Sequence, residues 1–296
     1  MGGRKTPLET VVRWQTVVAL YCVGCLVSAL RRLLGLPTSV GDGARSCHAF
    51  LRPRFYDHPD SHPLSASVTD TMSLCNHRGF ADYFLDDVIT CGGGYLARNL
   101  VKAAWPLWLN SYLCGKVEFF RRSGGNKDAL ARKISSLARH RGVVVYPEGH
   151  RQQTNRPLPM RYGAVRVAYR EGIAVQCVVT RNKERVCCMQ TRSAERNVPL
   201  YVYRSEHLRP KDYATIEDWC VAVKECFDAA WSKVYDADED TEWVRVPEGT
   251  YYDKGPNGVP KRVAYVRRCV AVGLAVGWIV AKLTRLGLGN FPWSQD

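Results

Sequence analysis

The chain has 296 residues, 46% of them hydrophobic, so it is long and apolar enough for a sizeable core, and disorder is excluded as the default. Forty-two Lys and Arg against 28 Asp and Glu give a net charge of +14, spread along the chain rather than gathered in a tail. That balance points to an anionic partner, whether a membrane surface, a phosphorylated substrate or nucleic acid, and does not choose among them. Among the twelve cysteines, Cys22 and Cys25 form a C-x-x-C inside an apolar run with no second pair at zinc spacing, and Cys187 and Cys188 are adjacent. The set reads as reduced, mostly buried thiols of an intracellular protein, with neither a disulfide framework nor a metal site expected.

Met1 to Thr6 fits the loose N-myristoylation pattern, which chance supplies as readily. Trp14 to Leu30 is a seventeen-residue run without charge, between Arg13 and Arg31-Arg32. About twenty apolar residues span a bilayer as a helix. The run is therefore expected to be a membrane anchor, spanning or lying in one leaflet, with a buried amphipathic helix as the alternative. Residues 1–36 form this expected anchor and 37–66, rich in Gly, Pro, Ser and His, a linker with room for one short strand. Residues 67–235 alternate apolar strands with helical stretches. Strands are expected at Ser67–Cys75, after the Gly92-Gly93-Gly94 turn, at Lys116–Phe120, Val143–Tyr146, Ala174–Thr180 and Val198–Arg204. Helices are expected from Asp82, up to Trp105-Pro106-Leu107-Trp108, and over Asp128–His140, Ala164–Arg170 and Ile216–Val234. The pattern predicts an α/β domain, a central mixed sheet flanked by helices. Residues 236–262 read as an acidic linker. Residues 263–296 hold an apolar stretch, Cys269–Ala281, too short to span comfortably and suited to a membrane-associated helix.

Asn76-His77-Arg78-Gly79-Phe80-Ala81-Asp82 places a histidine and an aspartate five positions apart. A carboxylate bonded to one ring nitrogen fixes the imidazole tautomer and leaves the other nitrogen able to take a proton. The spacing needs a bend, which Gly79 can supply, with His77 in a loop and Asp82 in the first turn of a helix. A loop histidine beside an N-terminal helix acid explains the pair equally well until other residues are considered. The strand Val143–Tyr146 runs into Pro147-Glu148-Gly149-His150-Arg151, and α/β sheets bind ligands at such carboxyl ends. Gly149 lets backbone N–H groups approach an anion, and Arg151 offers a planar fork for phosphate. A second basic strand end is Phe119-Phe120-Arg121-Arg122.

In order and spacing these blocks resemble the glycerophospholipid acyltransferase superfamily, of the 1-acylglycerol-3-phosphate (lysophosphatidic acid) acyltransferase type. N-H-x-x-x-x-D is Asn76, His77 and Asp82. The second block is Glu118 to Arg122, the third, usually F-P-E-G-T-R, is Tyr146 to Arg151, and the fourth lies near Ile173–Val179. The resemblance covers Val68 to Glu184. It implies a glycerol-3-phosphate acyltransferase-like fold and acyl transfer from acyl-CoA or acyl carrier protein, as co-substrate without a cofactor, to a lysophospholipid or glycerophosphate hydroxyl. His77 would be general base with Asp82. Arg121 or Arg122, with Arg122 favoured, would hold the acceptor phosphate with Arg151, and Arg161, in the basic-x-Gly step Arg161-Tyr162-Gly163 that follows the third block, would add charge there. Glu148 and Gly149 would position the acceptor. The expected partners are membrane phospholipid and acyl-CoA, and the expected location is an intracellular membrane, endoplasmic reticulum or mitochondrial.

Three departures stand out. His150 replaces the threonine of the third block, Gly115 lies one position further from its Phe than the pattern has it, and Gln176 and Cys177 stand where the fourth block carries proline. They support an alternative, a catalytically degenerate acyltransferase-fold subunit of a membrane or organellar protein assembly. A nucleic-acid-binding protein rests on charge alone, with no zinc-finger, RRM-type or KH-type motif, and nucleic acid is not expected as a partner. Val246-Pro247-Glu248-Gly249-Thr250 spells the third block too, but Tyr251 follows it and it lies far from His77 in sequence; it reads as a surface turn.

Overall fold

The computed structural model describes residues 11–36, 42–63, 69–99, 105–120, 127–188, 190–247, 250 and 260–285. Its strands are the β-branched and aromatic runs. In chain order they are β1 (Val11–Arg13), β2 (Arg54–Asp57), β3 (Thr71–Cys75), β4 (Gly94–Arg98), β5 (Val117–Phe120), β6 (Val143–Val145), β7 (Ala174–Arg181), β8 (Ser193–Glu195), β9 (Pro199–Arg204) and β10 (Val244–Arg245). Eight of them make one mixed sheet, ordered β10-β2-β9-β7-β3-β6-β4-β5. From β7 to β5 the neighbours are parallel; β9 is antiparallel to β7, β2 parallel to β9, and β10 antiparallel to β2. β1 and β8 form a separate antiparallel pair.

The helices are α1 (Trp14–Leu34), α2 (Asp42–Leu51), α3 (Asp82–Ile89), α4 (Trp105–Cys114), α5 (Lys127–Arg141), α6 (Gly163–Glu171), α7 (Lys183–Val186), α8 (Ile216–Tyr235) and α9 (Pro260–Arg285). Two-residue periodicity sorts the strand side chains between two cores. Met72, Leu74, Val143, Val175, Cys177 and Val179 pack with Trp219, Phe227 and Trp231 of α8 and with α5 and α6. Cys75, Val144 and Val178 face the other way, onto α1, α2 and α3. Trp219 and Trp231 are essentially fully buried. Their indole N–H groups are satisfied, donating to Val165 O (2.9 Å) and Asn155 O (2.7 Å). Burying a side chain of this size contributes roughly 3 kcal/mol. Gly142, at φ +76°, stops α5 so that β6 can enter the sheet between β3 and β4.

Several expectations change. Residues 37–66 hold more than a linker with one short strand: besides β2, which is internal to the sheet, α2 buries Ala44, Cys47 and Leu51 at helical spacing. The Gly, Pro and His content of the stretch masks that short apolar stripe. Residues 236–262 likewise carry β10, and Trp243 packs against Tyr201 and His58. Trp105-Pro106 does not end a helix: from Trp105 the described chain runs on as α4 to Cys114. The bend at Gly79 needs no left-handed backbone, since Gly79 is absent from the positive-φ residues. α9 runs 26 residues, because its basic flanks extend the apolar stretch without breaking helical continuity.

α1 is long and apolar enough to cross a membrane by length and composition. It is also packed: Val17, Tyr21, Cys25 and Ala29 line a buried stripe, while Val23, Val27, Leu30 and Leu34 are exposed on it. α9 exposes Val270, Val272, Leu274, Val276, Trp278 and Ile279 and is tied to the end of α1 by Arg267 Nη2 donating to Arg32 O (2.9 Å). The motif-like Val246-Pro247 leaves the β10 edge, separated from β3 by β2, β9 and β7; Glu248 and Gly249 lie outside the described residues.

Candidate active site

Three parallel strands, β7, β3 and β6, lie side by side, and their carboxyl ends deliver the motif residues to one place. Asn76, just beyond β3, is fully buried. Its side-chain amide pairs in both directions with Thr180 at the end of β7, Nδ2 donating to Thr180 O (2.9 Å) and Oδ1 accepting from Thr180 N (3.0 Å). This fixes where the chain leaves the sheet and so where His77 begins.

His77 Nδ1 lies 2.7 Å from Asp82 Oδ2. The same oxygen accepts the backbone N–H of Arg78 (2.6 Å) and of Gly79 (3.0 Å), so Asp82 folds its own approach loop around itself. An oxygen already taking two N–H donors acts as acceptor toward the ring, which puts the His77 proton on Nδ1. Nε2 makes no hydrogen bond among the described residues, and the His77 side chain is 19% exposed while Asp82 is 1% exposed. The Tyr146 ring stacks on the imidazole, centroids 4.2 Å apart and planes within 15°. Burial raises the Asp82 carboxyl, but the Lys183 ammonium first, then the His77 bond and charge and the Gly79 N–H, outweigh it and hold the group below the ordinary carboxylate range.

Glu148 is 2% exposed and both its oxygens are engaged. Oε2 accepts His77 N (2.9 Å); Oε1 accepts Gln152 Nε2 (2.7 Å) and Leu158 N (3.1 Å). It therefore clamps the His77 loop to the loop after β6. Gln152 N donating to His77 O (3.0 Å) closes the same junction and brings its neighbour Arg151 alongside. Gly149 has φ +69°, and a Cβ there would sit 2.7 Å from Arg161 Nε, so glycine lets Arg161 lie across the loop. Arg161 Nη2 donates to His150 Nε2 at 2.8 Å, and Arg161 N donates to Pro147 O at 2.8 Å. His77, Asp82, Glu148, Gly149, Arg151 and Arg161 are thus brought together. Arg121 and Arg122 follow β5 and lie outside the described residues.

Other participants carry no motif of their own. Arg78 is 2% exposed and binds Glu184 Oε2 through Nε (3.1 Å) and Gln153 O through Nη2 (3.1 Å), locking the His77 loop to α7 and the 152–154 turn. Lys183 is fully buried below Asp82, with Asp86 beside it. Asp86 was readable as an acid one helical turn from Asp82 on an otherwise apolar helix face. Lys183 had no local signal. Gln176 and Cys177, at the position of the missing proline, use their polar groups: Cys177 N donates to Ser205 Oγ (3.0 Å), and Gln176 Nε2 to Ser205 O (2.9 Å).

Residues 69–181 match the family model described as Acyltransferase. No curated protein matches the chain. Among solved structures, the fold is similar to the 1-acyl-sn-glycerophosphate (LPA) acyltransferase PlsC from Thermotoga maritima, with a TM-score of 0.55 at 15% identity over 76% of this chain and 94% of that one.

Proposed function

From the acyltransferase-family domain at residues 69–181 we propose that the protein transfers an acyl chain from a thioester, acyl-CoA or acyl carrier protein, to a hydroxyl of a lysophospholipid or glycerophosphate. The observation that supports this most is the 2.7 Å contact of His77 Nδ1 with Asp82 beneath an imidazole edge that has no other partner among the described residues. The acceptor oxygen attacks the thioester carbonyl carbon as His77 Nε2 takes the hydroxyl proton. The new C–O bond forms, the C–S bond breaks, and the departing thiolate takes the proton from His77. Asp82 stays ionised and stabilises the transient imidazolium. No enzyme nucleophile is needed, and the chain has no G-x-S-x-G elbow.

Arg151 and Arg161, with Arg122, hold the acceptor phosphate as planar donors. Fixing the phosphate fixes the hydroxyl near His77, and such orientation supplies several kcal/mol of barrier reduction. Glu148 acts through the loops it clamps rather than by contact with the acceptor. The exposed apolar stripe of α1 and the exposed apolar residues around α9, flanked by Arg31, Arg267, Arg268 and Lys282, seat the enzyme on an intracellular membrane from which both lipid substrates arrive.

The test is transfer of labelled acyl chains to a panel of lysophospholipids and glycerophosphate by purified wild type and His77→Ala. The expected loss is at least 100-fold, the low end for removing a general base. Equal rates in the two proteins would end this mechanism.

A further inference from the structure

Below the His77–Asp82 pair lies a second layer of charge that the acyl-transfer steps do not use. Asp82 Oδ1 is buried and has no hydrogen-bond partner; it faces Lys183 Nζ at 3.7 Å. Lys183 Nζ donates to Asn76 O (2.6 Å) and to both oxygens of Asp86 (3.0 Å each). Asp86 Oδ2 also accepts the Tyr146 hydroxyl (2.9 Å), and the Tyr146 ring is the one stacked on His77. Lys183, Asp82 and Asp86 are each no more than 1% exposed. One ammonium thus touches the backbone just before His77, the carboxylate that orients His77 and, through Asp86, the ring that packs against it.

Burying a lysine and two aspartates costs several kcal/mol per ion unless they are paired. Burial raises the Asp86 carboxyl to about 6, so above that pH and with His77 neutral the cluster carries one net negative charge, from two carboxylates and one ammonium. When His77 takes a proton the cluster becomes neutral. The arrangement therefore favours arrival of the proton while the ammonium limits how strongly it is held. Removing Lys183 leaves two carboxylates below the imidazole and no cation. Removing the Asp86 charge leaves the ammonium balanced by Asp82 alone.

Other groups face this unit. Cys75 on β3 is buried and its thiol is pushed well up by burial, so it is neutral; Tyr235 on α8 is likewise pushed up by burial and neutral. Glu148 meets the His77 N–H, Arg78 is paired with Glu184 of α7, and His150, Arg151 and Arg161 stand on the solvent side. None of them touches the inner oxygen of Asp82.

We propose that Lys183, working with Asp86 and Tyr146, is a positioning residue of the acyl-transfer site that holds Asp82 and the Asn76–His77 backbone in place and sets the charge against which His77 takes its proton. The proposal rests on His77 being the base. The third-block tyrosine, in place of the usual phenylalanine, is part of the same device: its hydroxyl reaches Asp86, which in turn holds Lys183.

The experiment compares full-length wild type, Lys183→Met, Asp86→Asn, the double variant and Tyr146→Phe, by the pH dependence of kcat/KM and by NMR titration of the His77 ring without substrate. Lys183→Met is expected to lose about 10- to 100-fold in kcat and to move the acid limb up by about one pH unit, since an uncompensated carboxylate nearby favours the protonated ring. Asp86→Asn moves it the other way, and the double variant returns toward wild type. Tyr146→Phe keeps the stacked ring but removes a hydroxyl that favours the ionised Asp86, so Asp86 takes its proton more readily and the limb shifts in the same direction as for Asp86→Asn, by less. Should Lys183→Met fail to fold, Asp86→Asn and Tyr146→Phe carry the test. A common, unshifted limb and ring titration in every folded variant, with activity tracking the folded fraction, would overturn the proposal and leave Lys183 a structural ion. Activity surviving in His77→Ala would instead overturn the acyl-transfer mechanism on which it rests.

Discussion

The inner and the outer side of His77 are built on opposite terms. On the inner side Asp82, Asp86 and Lys183 are sealed from water, and Asp86 and Lys183 are fixed by contacts between elements distant in sequence. On the outer side His150, Arg151 and Arg161 are exposed, and the loop carrying them is shaped by one left-handed glycine. Charges held in a poorly polarisable interior act at full strength and at fixed geometry, whereas exposed ones are screened within about 8 Å at physiological salt. The inner side is thus suited to setting the state of the base, and the outer side to capturing an anion that must also be released. Substitutions on the two sides should fail in different ways: inner ones in kcat and pH dependence, outer ones in KM and salt dependence.

The largest effect on this contrast is expected from Asp82→Asn. It keeps the size of the side chain, but its Nδ2 cannot accept the Nδ1–H, and the ring turns to the wrong tautomer. A kcat loss of about 10²- to 10⁴-fold is expected, with the acceptor KM within about threefold of wild type. Initial rates against acceptor concentration separate the two parameters. A change confined to KM would place Asp82 on the substrate side and erase the distinction.

Next comes Gly149→Ala, which attacks the outer side through the backbone. A residue other than glycine at φ +69° costs about 1–2 kcal/mol, and its Cβ needs the space that Arg161 occupies. Arg161 must swing off the loop. The acceptor KM is expected to rise about tenfold, with kcat much less affected, and the melting temperature to fall by a few degrees. Arg161→Ala should reproduce the KM change without the loss of stability. It should also flatten the dependence of KM on salt between low and physiological ionic strength.

The two sides also differ in how far the sequence announced them. Strands β3 to β7 were visible as short apolar runs because both faces of a parallel sheet are buried. The outer residues Gly149 and Arg151 were visible at the end of a buried strand, while Arg161 and the role of the His77–Asp82 pair were visible through the order and spacing of the family blocks. The inner side was not. Lys183 follows β7 and meets Asp86 only because β7 lies beside β3, an adjacency set by strand order rather than by any short stretch of chain. Tyr146 carries no such signal either, because its hydroxyl meets Asp86 only across the fold. In the 37–66 and 236–262 segments the place of β2, for which only room for one short strand was read, and the whole of β10 were hidden for a related reason: they are four and two residues long and are held by pairing with each other and, for β2, with β9. Composition cannot register a strand whose stability comes from its neighbours.

The smallest expected effect uses a second half-buried histidine as a control for the first. His48 of α2 has no carboxylate beside it; its Nε2 lies 3.3 Å from Phe84 O and its ring stacks on Phe55. Burial pushes its pKa down to about 4, against a small raising influence from the Phe84 carbonyl. The folded protein therefore keeps this ring neutral at pH values where the unfolded chain, near 6.5, binds a proton. The sign follows: the stability is fully present above pH 6.5 and is lost as the pH falls from there toward 4. A half-buried ring should contribute about 1 kcal/mol of that slope, seen as a lower urea midpoint at pH 5 than at pH 7. His48→Phe should remove this part of the slope and leave the pH dependence of acyl transfer where it was. If His48→Phe moved the acid limb of the rate profile as far as Lys183→Met does, the limb would report stability of the fold rather than the state of His77, and the contrast between the two sides of the site would lose its kinetic support.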